Sequence, residues 1–327
     1  MLHTIRNLTP ALLLALGSLF QAEFGTAQGY PAKPVRIVVG FAPGGTTDLL
    51  ARILAQNLSD SWKQSVLVDN RGGAAGTIGA EAVAKAPPDG YALLLSPQSS
   101  IAIAPSMYSK LGYDPLRDFE PVVEAGYSPL LLVAHPSLPA RSFKEFMQLA
   151  KAQSASLSYA SGGQGTVLHL TSELLNSALG IRTVHVPYKG ENPALIDLMG
   201  GQVAFMFCNL PIGLTYSRTS KLRALALATR SRSPLAPEVP TMIESGIAGF
   251  EAAVWNGVYA PARTPRDIVN RINADVVKIL NTPEIKERVA GQGIYVNTGT
   301  PEQLAAYLKS ETAKWSKVVK AAGITAN

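Results

Sequence analysis

The run Val35-Arg36-Ile37-Val38-Val39-Gly40-Phe41-Ala42-Pro43-Gly44-Gly45-Thr46-Thr47-Asp48 is where this chain could hold an anion. It reads as an apolar strand, a Pro-Gly-Gly turn and the cap of a helix whose inner face is Leu49, Leu50, Ile53, Leu54 and Leu58. A strand that empties into a glycine turn and a helix start presents backbone N–H groups at the carboxyl edge of a sheet, and the helix dipole adds partial positive charge there. Phe41, Ala42, Gly44, Gly45, Thr46, Thr47 and Asp48 are therefore candidate ligand contacts. Asp48 has two readings, a first-turn acid paired with Arg52 at i, i+4 or a partner for a ligand ammonium.

The same form recurs four times. Asp69-Asn70-Arg71-Gly72-Gly73-Ala74-Ala75-Gly76-Thr77 adds Asn70, with Arg71 either facing a ligand carboxylate or bracing its loop. Ser96-Pro97-Gln98-Ser99-Ser100 adds Ser96, Gln98 and Ser99. Ser161-Gly162-Gly163-Gln164-Gly165-Thr166 adds Ser161, Gly162, Gly163 and Thr166, with His169 in the first turn of the helix behind. Pro187-Tyr188-Lys189-Gly190-Glu191-Asn192 adds Tyr188 as a pocket wall with a polar tip and Lys189 as a solvated or ligand-facing cation. Asn209, after the apolar run Val203–Cys208, completes the set. Each loop alone is an ordinary chain reversal, but five loops that all follow strands make a case for one cleft.

Catalytic alternatives fit less well. His135, His169 and His185 are scattered in the sequence, without the close pairing of a zinc site, so no metal and no cofactor are expected. Ser161 is not in a Gly-x-Ser-x-Gly elbow. Gly44-Gly45-Thr46-Thr47 lacks the P-loop lysine, and Gly73-x2-Gly76-x2-Gly79 is not the dinucleotide spacing. A hydrolase or transferase would need Ser161 against His169 with an acid behind it. Cys208, the single cysteine, reads as a small core residue and permits no intrachain disulfide.

Net charge is +6 and charged residues are 16% of the 327. There is no run of Lys and Arg and no basic stripe with aromatics, which argues against a nucleic-acid partner. At the N-terminus Arg6, an apolar run from Ala11 to Phe20 and small residues Gly25-Thr26-Ala27 form the three-part pattern of a signal peptide over residues 1–27. Ten apolar residues are too few for a membrane span, which needs about 20. The expected location is the periplasm.

The elements that must position these loops alternate. Strands are expected at Val35–Phe41, Val66–Val68, Tyr91–Ser96, Leu130–His135, Leu157–Ala160, Thr183–Val186, Val203–Phe207, Leu222–Thr229 and Gly257–Ala260. Helices are expected at Thr47–Ser59, Thr77–Lys85, Ser142–Ala152, Val167–Leu179, Pro193–Met199, Pro265–Leu280, Pro283–Gln292 and Pro301–Ala322. Strands apolar on both faces and a βαβαβ order predict an α/β fold. Thr264-Pro265, Thr282-Pro283 and Thr300-Pro301 each read as a capping hydroxyl before a first-turn proline. Extended segments at Phe119–Leu130 and Phe250–Ala260 would divide the chain into one lobe of residues 30–126 plus 253–327 and a second of residues 127–252, with the cleft between them.

These residues together resemble the Bug-type extracytoplasmic solute receptors, the substrate-binding proteins of tripartite tricarboxylate transporters. The motifs are Tyr30-Pro31-Ala32-Lys33-Pro34-Val35 with Ala42-Pro43-Gly44-Gly45 and Asp48, Asn70-Arg71-Gly72-Gly73-Ala74-Ala75-Gly76, Ala86-Pro87-Pro88-Asp89-Gly90-Tyr91, Tyr159-Ala160-Ser161-Gly162-Gly163, Val186-Pro187-Tyr188-Lys189-Gly190, Gly200-Gly201-Gln202-Val203 and Trp255-Asn256-Gly257. Trp62-Lys63-Gln64 and Asp69 depart from the family's usual residues. The resemblance implies a two-lobed periplasmic binding fold that closes on its ligand, a carboxylate held by loops of both lobes partly through ordered water, and a monomer that serves membrane transporter subunits. Relatives of this kind take di- and tricarboxylates, amino acids or aromatic acids. A ligand sensor for a membrane signalling protein would use the same closure.

Overall fold

The chain is seen in a computed structural model that describes residues 29–325; the signal peptide expected at residues 1–27 lies outside them. In chain order from Lys33 the elements are β1 (Val35–Val39), α1 (Thr46–Trp62), β2 (Val66–Asn70), α2 (Thr77–Ala84), β3 (Ala92–Pro97), α3 (Ala104–Met107), β4 (Phe119–Ala134), α4 (Phe143–Gln153), β5 (Ser158–Ser161), α5 (Val167–Leu179), β6 (Val184–Pro187), α6 (Glu191–Met199), β7 (Phe205–Asn209), α7 (Leu210–Arg218), β8 (Arg223–Leu227), β9 (Ala253–Pro261), α8 (Arg266–Leu280), α9 (Pro283–Gly291) and α10 (Pro301–Ala322). The strands follow one path, β2-β1-β3-β9-β4-β7-β5-β6, with β8 also on β4.

Two parallel groups, β2-β1-β3 and β7-β5-β6, sit at the ends of this path, and the antiparallel pair β4/β9 joins them. The extended segments expected from sequence are thus hydrogen-bonded to each other. From Phe119 to Pro129, β4 pairs with β9; from Leu130 to Ala134 it pairs with β7. Its pleat feeds two cores. Leu130, Leu132 and Ala134 pack with Phe146, Tyr159 and Phe205, whereas Leu131 and Val133 pack with Leu195, Met206 and Cys208. That period of two is why the strand is apolar on both faces. Cys208 is fully buried, as a small core residue would be.

Two helices escape the sequence pattern. A π-turn over Ser99–Ile103 leads into α3, and all of Ser99–Ile103 is buried. Helix α7 begins with Leu210-Pro211 and contains Gly213, residues that resemble a loop. A Cβ on Gly213 would stand 2.6 Å from Cys208 Sγ and 2.9 Å from Leu131 Cδ2, so the glycine is what lets α7 lie against β4 and β7. The Thr-Pro reading holds at only one of its three sites. Thr300 and Gln303 form a reciprocal capping box on α10, but Thr282 Oγ1 donates back to Ile279 O and Thr264 Oγ1 to Pro261 O. Neither hydroxyl caps the helix that follows: Thr282 accepts no N–H from α9, and the N-cap position of α8 is Pro265.

Gly40, Gly76 and Gly79 are contact glycines. A Cβ on Gly40 would lie 2.5 Å from Gly76 O and 2.7 Å from Gly76 Cα, and one on Gly79 would lie 2.8 Å from Gly40 Cα. Gly76 and Gly79 therefore serve backbone-to-backbone packing of the start of α2 on the end of β1. Gly40→Ala is expected to destabilise the fold by about 1–3 kcal/mol through overpacking. Gly291→Ala, where no atom lies within 4 Å of the added methyl, is expected to be neutral or slightly stabilising. Urea unfolding of both variants checks this; equal midpoints would refute the close-packing assignment.

Candidate functional site

Parallel strands place their following loops at their carboxyl ends, so the topology sets two such edges facing one another. Asn256 of β9 pairs with Pro97 at the end of β3 and with Gly126 of β4. Four residues on, Leu130 of β4 pairs with Asn209 at the end of β7. The two carboxyl edges are thus separated by about 13 Å of extended β4, the place where open α/β sheets bind ligands. The loops after β1, β2 and β3 lie on one side and the turns after β5, β6 and β7 on the other.

On the first side, β1 ends in the exposed turn Ala42–Gly45. Helix α1 starts at Gly45 with no side-chain cap, which leaves first-turn N–H groups to an external partner. Space around Gly44 and Gly45 is open, with Gly44 at φ +94°. Asp48 shapes this turn from beneath. It accepts from Gly44 N at 2.9 Å, Arg52 Nε at 2.9 Å and Asn70 Nδ2 at 3.0 Å. Burial raises the Asp48 carboxyl, but the hydrogen bonds from Arg52, Gly44 and Asn70 outweigh it and hold the group below its ordinary value. Asn70 also donates to Phe41 O and accepts from Arg52. The pairing of Asp48 with Arg52 expected at i, i+4 is present, and Arg71 pairs with Asp69 on the surface. Gln98 uses both ends of its amide on the β9 backbone, at Ala253 O and Trp255 N. Ser96 meets Ser100 and Pro97 O, and Ser99 is buried in the π-turn.

The opposite side is built differently. Helix α5 is capped: Thr166 Oγ1 accepts from His169 N and donates to Gly163 O. Gly165 N donates to His169 Nδ1 and Gly163 N to Ser161 Oγ. The Ser161–Thr166 turn thus spends much of its donor capacity on itself. Gly162 packs against the start of α6, 3.4 Å from Glu191 N for an added Cβ. Tyr188 donates its hydroxyl to Asp197, and burial together with that bond pushes its pKa up to about 12. Lys189 is exposed.

Two of the three histidines scattered in sequence come together in space. His169 and His185 stack with ring centroids 3.7 Å apart, and Tyr159 lies nearly parallel 4.9 Å from His185. Ser161 Oγ meets His185 Nε2 at 2.7 Å, and not His169 as a hydrolase or transferase would need. The Tyr159 hydroxyl takes the nearby Glu173 carboxylate. Desolvation, and for His169 the neighbouring ring as well, push the pKa values down to about 3 for His169 and about 4 for His185. Among the described residues no group could hold a metal ion.

Two contacts that loop motifs do not reveal come from the strands. Five buried side-chain polar atoms lack a protein partner among the described residues, and three lie here: Asn256 Nδ2, Ser128 Oγ and Asn209 Oδ1. Ser128 pairs with Val254, Asn256 with Gly126 and Asn209 with Leu130, so the pleat puts all three on one face. Asn256 Oδ1 accepts from Thr47 Oγ1 at 2.7 Å, which ties this face to the start of α1. The sequence signal for this face is the motif Trp255-Asn256-Gly257. A cavity of about 710 Å³ lies on the other face of β4 and β9, lined by Glu124, Tyr127, Tyr295, Tyr307 and their neighbours, and contains none of the predicted contacts.

Comparison with known proteins agrees with this architecture. Residues 50–324 match the tripartite tricarboxylate transporter family receptor, TctC. Protein BugT of Bordetella pertussis is 38% identical over 317 residues, covering 95% of this chain and 97% of BugT. The R. palustris protein Rpa4515, solved with adipate, is 36% identical with a TM-score of 0.82 over 90% of this chain and 99% of its own. MatC of Rhodopseudomonas palustris, solved with bound malate, is 33% identical with a TM-score of 0.78 over 89% of this chain and 100% of its own. The chain belongs to the TctC family of periplasmic binding receptors, whose members are transport receptors and not enzymes.

Because His169 and His185 have folded-state pKa values below the unfolded 6.5, the unfolded chain binds more protons between those values. Their contribution to stability is fully present above about pH 6.5 and is lost progressively as pH falls from there through about 4 and about 3. Both imidazoles are expected to remain neutral at pH 5.5 by ¹H–¹³C NMR. A midpoint near 6.5 for either ring would contradict the buried stack.

Proposed function

We propose that this protein captures a small organic carboxylate between the two facing carboxyl edges and delivers it to the membrane subunits of a tripartite tricarboxylate transporter. The observation that carries this reading is the uncapped start of α1 at Gly45, set on the same face as three buried polar atoms without protein partners. N–H groups at a helix N-terminus favour an anion. Adipate and malate in the related structures support the same ligand class. In this reading Asp48 and Asn70 hold the grip in shape, while Gly44, Gly45, Thr46 and Thr47 present donors. The second side contributes Ser161–Thr166, Tyr188, Lys189 and Asn209.

The lobes in this proposal are residues 30–126 plus 253–327 and residues 127–252. The hinge is β4 near Pro129, where its pairing passes from β9 to β7. Closure would exclude water and strengthen the N–H contacts. The protein acts as a monomer, exported by the segment at residues 1–27.

A thermal-shift screen tests the reading. A carboxylate ligand at about 100 times its Kd should raise Tm by about 4 °C. Stabilisation by neutral amides and by no carboxylate would overturn the proposal. Gly45→Val places its side chain in open space at an ordinary φ of −84°, so the fold should survive with unchanged Tm while ligand stabilisation disappears. A folded Gly45→Val that still binds would remove the first loop from the grip.

A further inference from the structure

The two sides of the cleft ask for different things. On the α1 side the free groups donate: the first-turn N–H groups, and Asn256 Nδ2, whose carbonyl is already taken by Thr47. On the β7 side the free group accepts. Glu191 clamps Asn209 at two points, Oε1 taking the backbone N–H at 2.6 Å and Oε2 taking Nδ2 at 2.7 Å. With the NH₂ end of the amide turned to Glu191, the carbonyl end must face the other way. Asn209 Oδ1 is the group that lies buried there without a protein partner. Ser128 Oγ, 1% exposed and also without a partner, stands on the same face between the two asparagines.

A carbonyl oxygen has lone pairs and no proton, so a carboxylate cannot satisfy it. It needs an O–H or an N–H, and an acceptor sealed away without one is costly. Ser128 can serve either side, donating to a carboxylate or accepting from a neighbouring hydroxyl.

We infer that Asn209 is a specificity-determining residue that selects carboxylic acids bearing a hydroxyl or ammonium group over unsubstituted dicarboxylates. The inference rests on the proposal that the cleft holds a carboxylate. It narrows the ligand to hydroxy- or amino-acids with the donor directed at β7 and a carboxylate directed at α1. Glu191 acts through Asn209 as a positioning residue that keeps the acceptor outward.

Isothermal titration of the wild-type protein with matched acids provides the test: succinate against malate and aspartate, and glutarate against 2-hydroxyglutarate and glutamate. In at least one series the substituted acid should bind about tenfold or more tightly than its unsubstituted partner, the difference expected when a buried acceptor is left unpaired. Whether the hydroxyl or the amino acid leads identifies the donor. Asn209→Ala, checked for folding by circular dichroism, should abolish the difference between the substituted acid and its unsubstituted partner. Should that variant not fold, the wild-type series decides alone. Equal affinities within both series, or binding confined to unsubstituted dicarboxylates, would overturn the inference while leaving the carboxylate cleft intact. Failure of every carboxylate to bind would remove the cleft reading and this inference with it.

Discussion

The antiparallel pairing of β4 with β9 is the constraint on which the rest depends. Among the described residues, it is this pairing that joins the two parallel strand groups through backbone hydrogen bonds. Because β4 runs on from β9 to β7, the distance between the two carboxyl edges is a property of one strand. Strand geometry allows little freedom there, about 3.3 Å per residue. The ribbon is anchored behind by Glu311, which is 5% exposed and accepts from Trp255 Nε1 of β9 and Trp315 Nε1 of α10, both at 2.9 Å. A buried carboxylate is retained at such a site only when its oxygens are satisfied, and here the satisfaction fastens the last helix to the shared strand.

The two sides of the cleft divide the work by how their helix starts are finished. Helix α1 lacks a cap, and its turn is shaped from below by Asp48 and Asn70, so its N–H groups stay outward. Helix α5 is capped by Thr166, and the turn before it is stiffened by Ser161 and the neutral histidine stack. One side can therefore meet negative charge while the other offers a preorganised wall. Burial keeps both imidazoles uncharged near neutrality, so the shape of this wall does not depend on pH there.

Much of this could be read before any coordinates. The alternation of apolar runs with amphipathic segments placed β1, α2, α5 and α10 close to their observed limits, because in these stretches local periodicity and burial agree. Failures fell where tertiary contact overrides local preference. Pro211 and Gly213 look like a loop, yet Pro at a first turn is helix-compatible and Gly213 answers to Cys208 and Leu131. The π-turn at Ser99 is sealed inside the core. Two of three Thr-Pro pairs bond backward because each hydroxyl donates to the carbonyl that the preceding turn brings within reach.

The sequence by itself determined the α/β class, the family and the glycine-rich turns, since each depends on residue types a few positions apart. Only the tertiary structure decided which polar atoms those turns leave open. Ser128 and Asn256 are 128 residues apart in the chain and reach one face because antiparallel pairing and a pleat of period two put them there. His169 and His185 are 16 residues apart and stack because α5 returns over β5 and β6. Asn209 presents its carbonyl because Glu191, 18 residues earlier, holds its amide. Each of these is a long-range hydrogen bond or register, which no local pattern encodes.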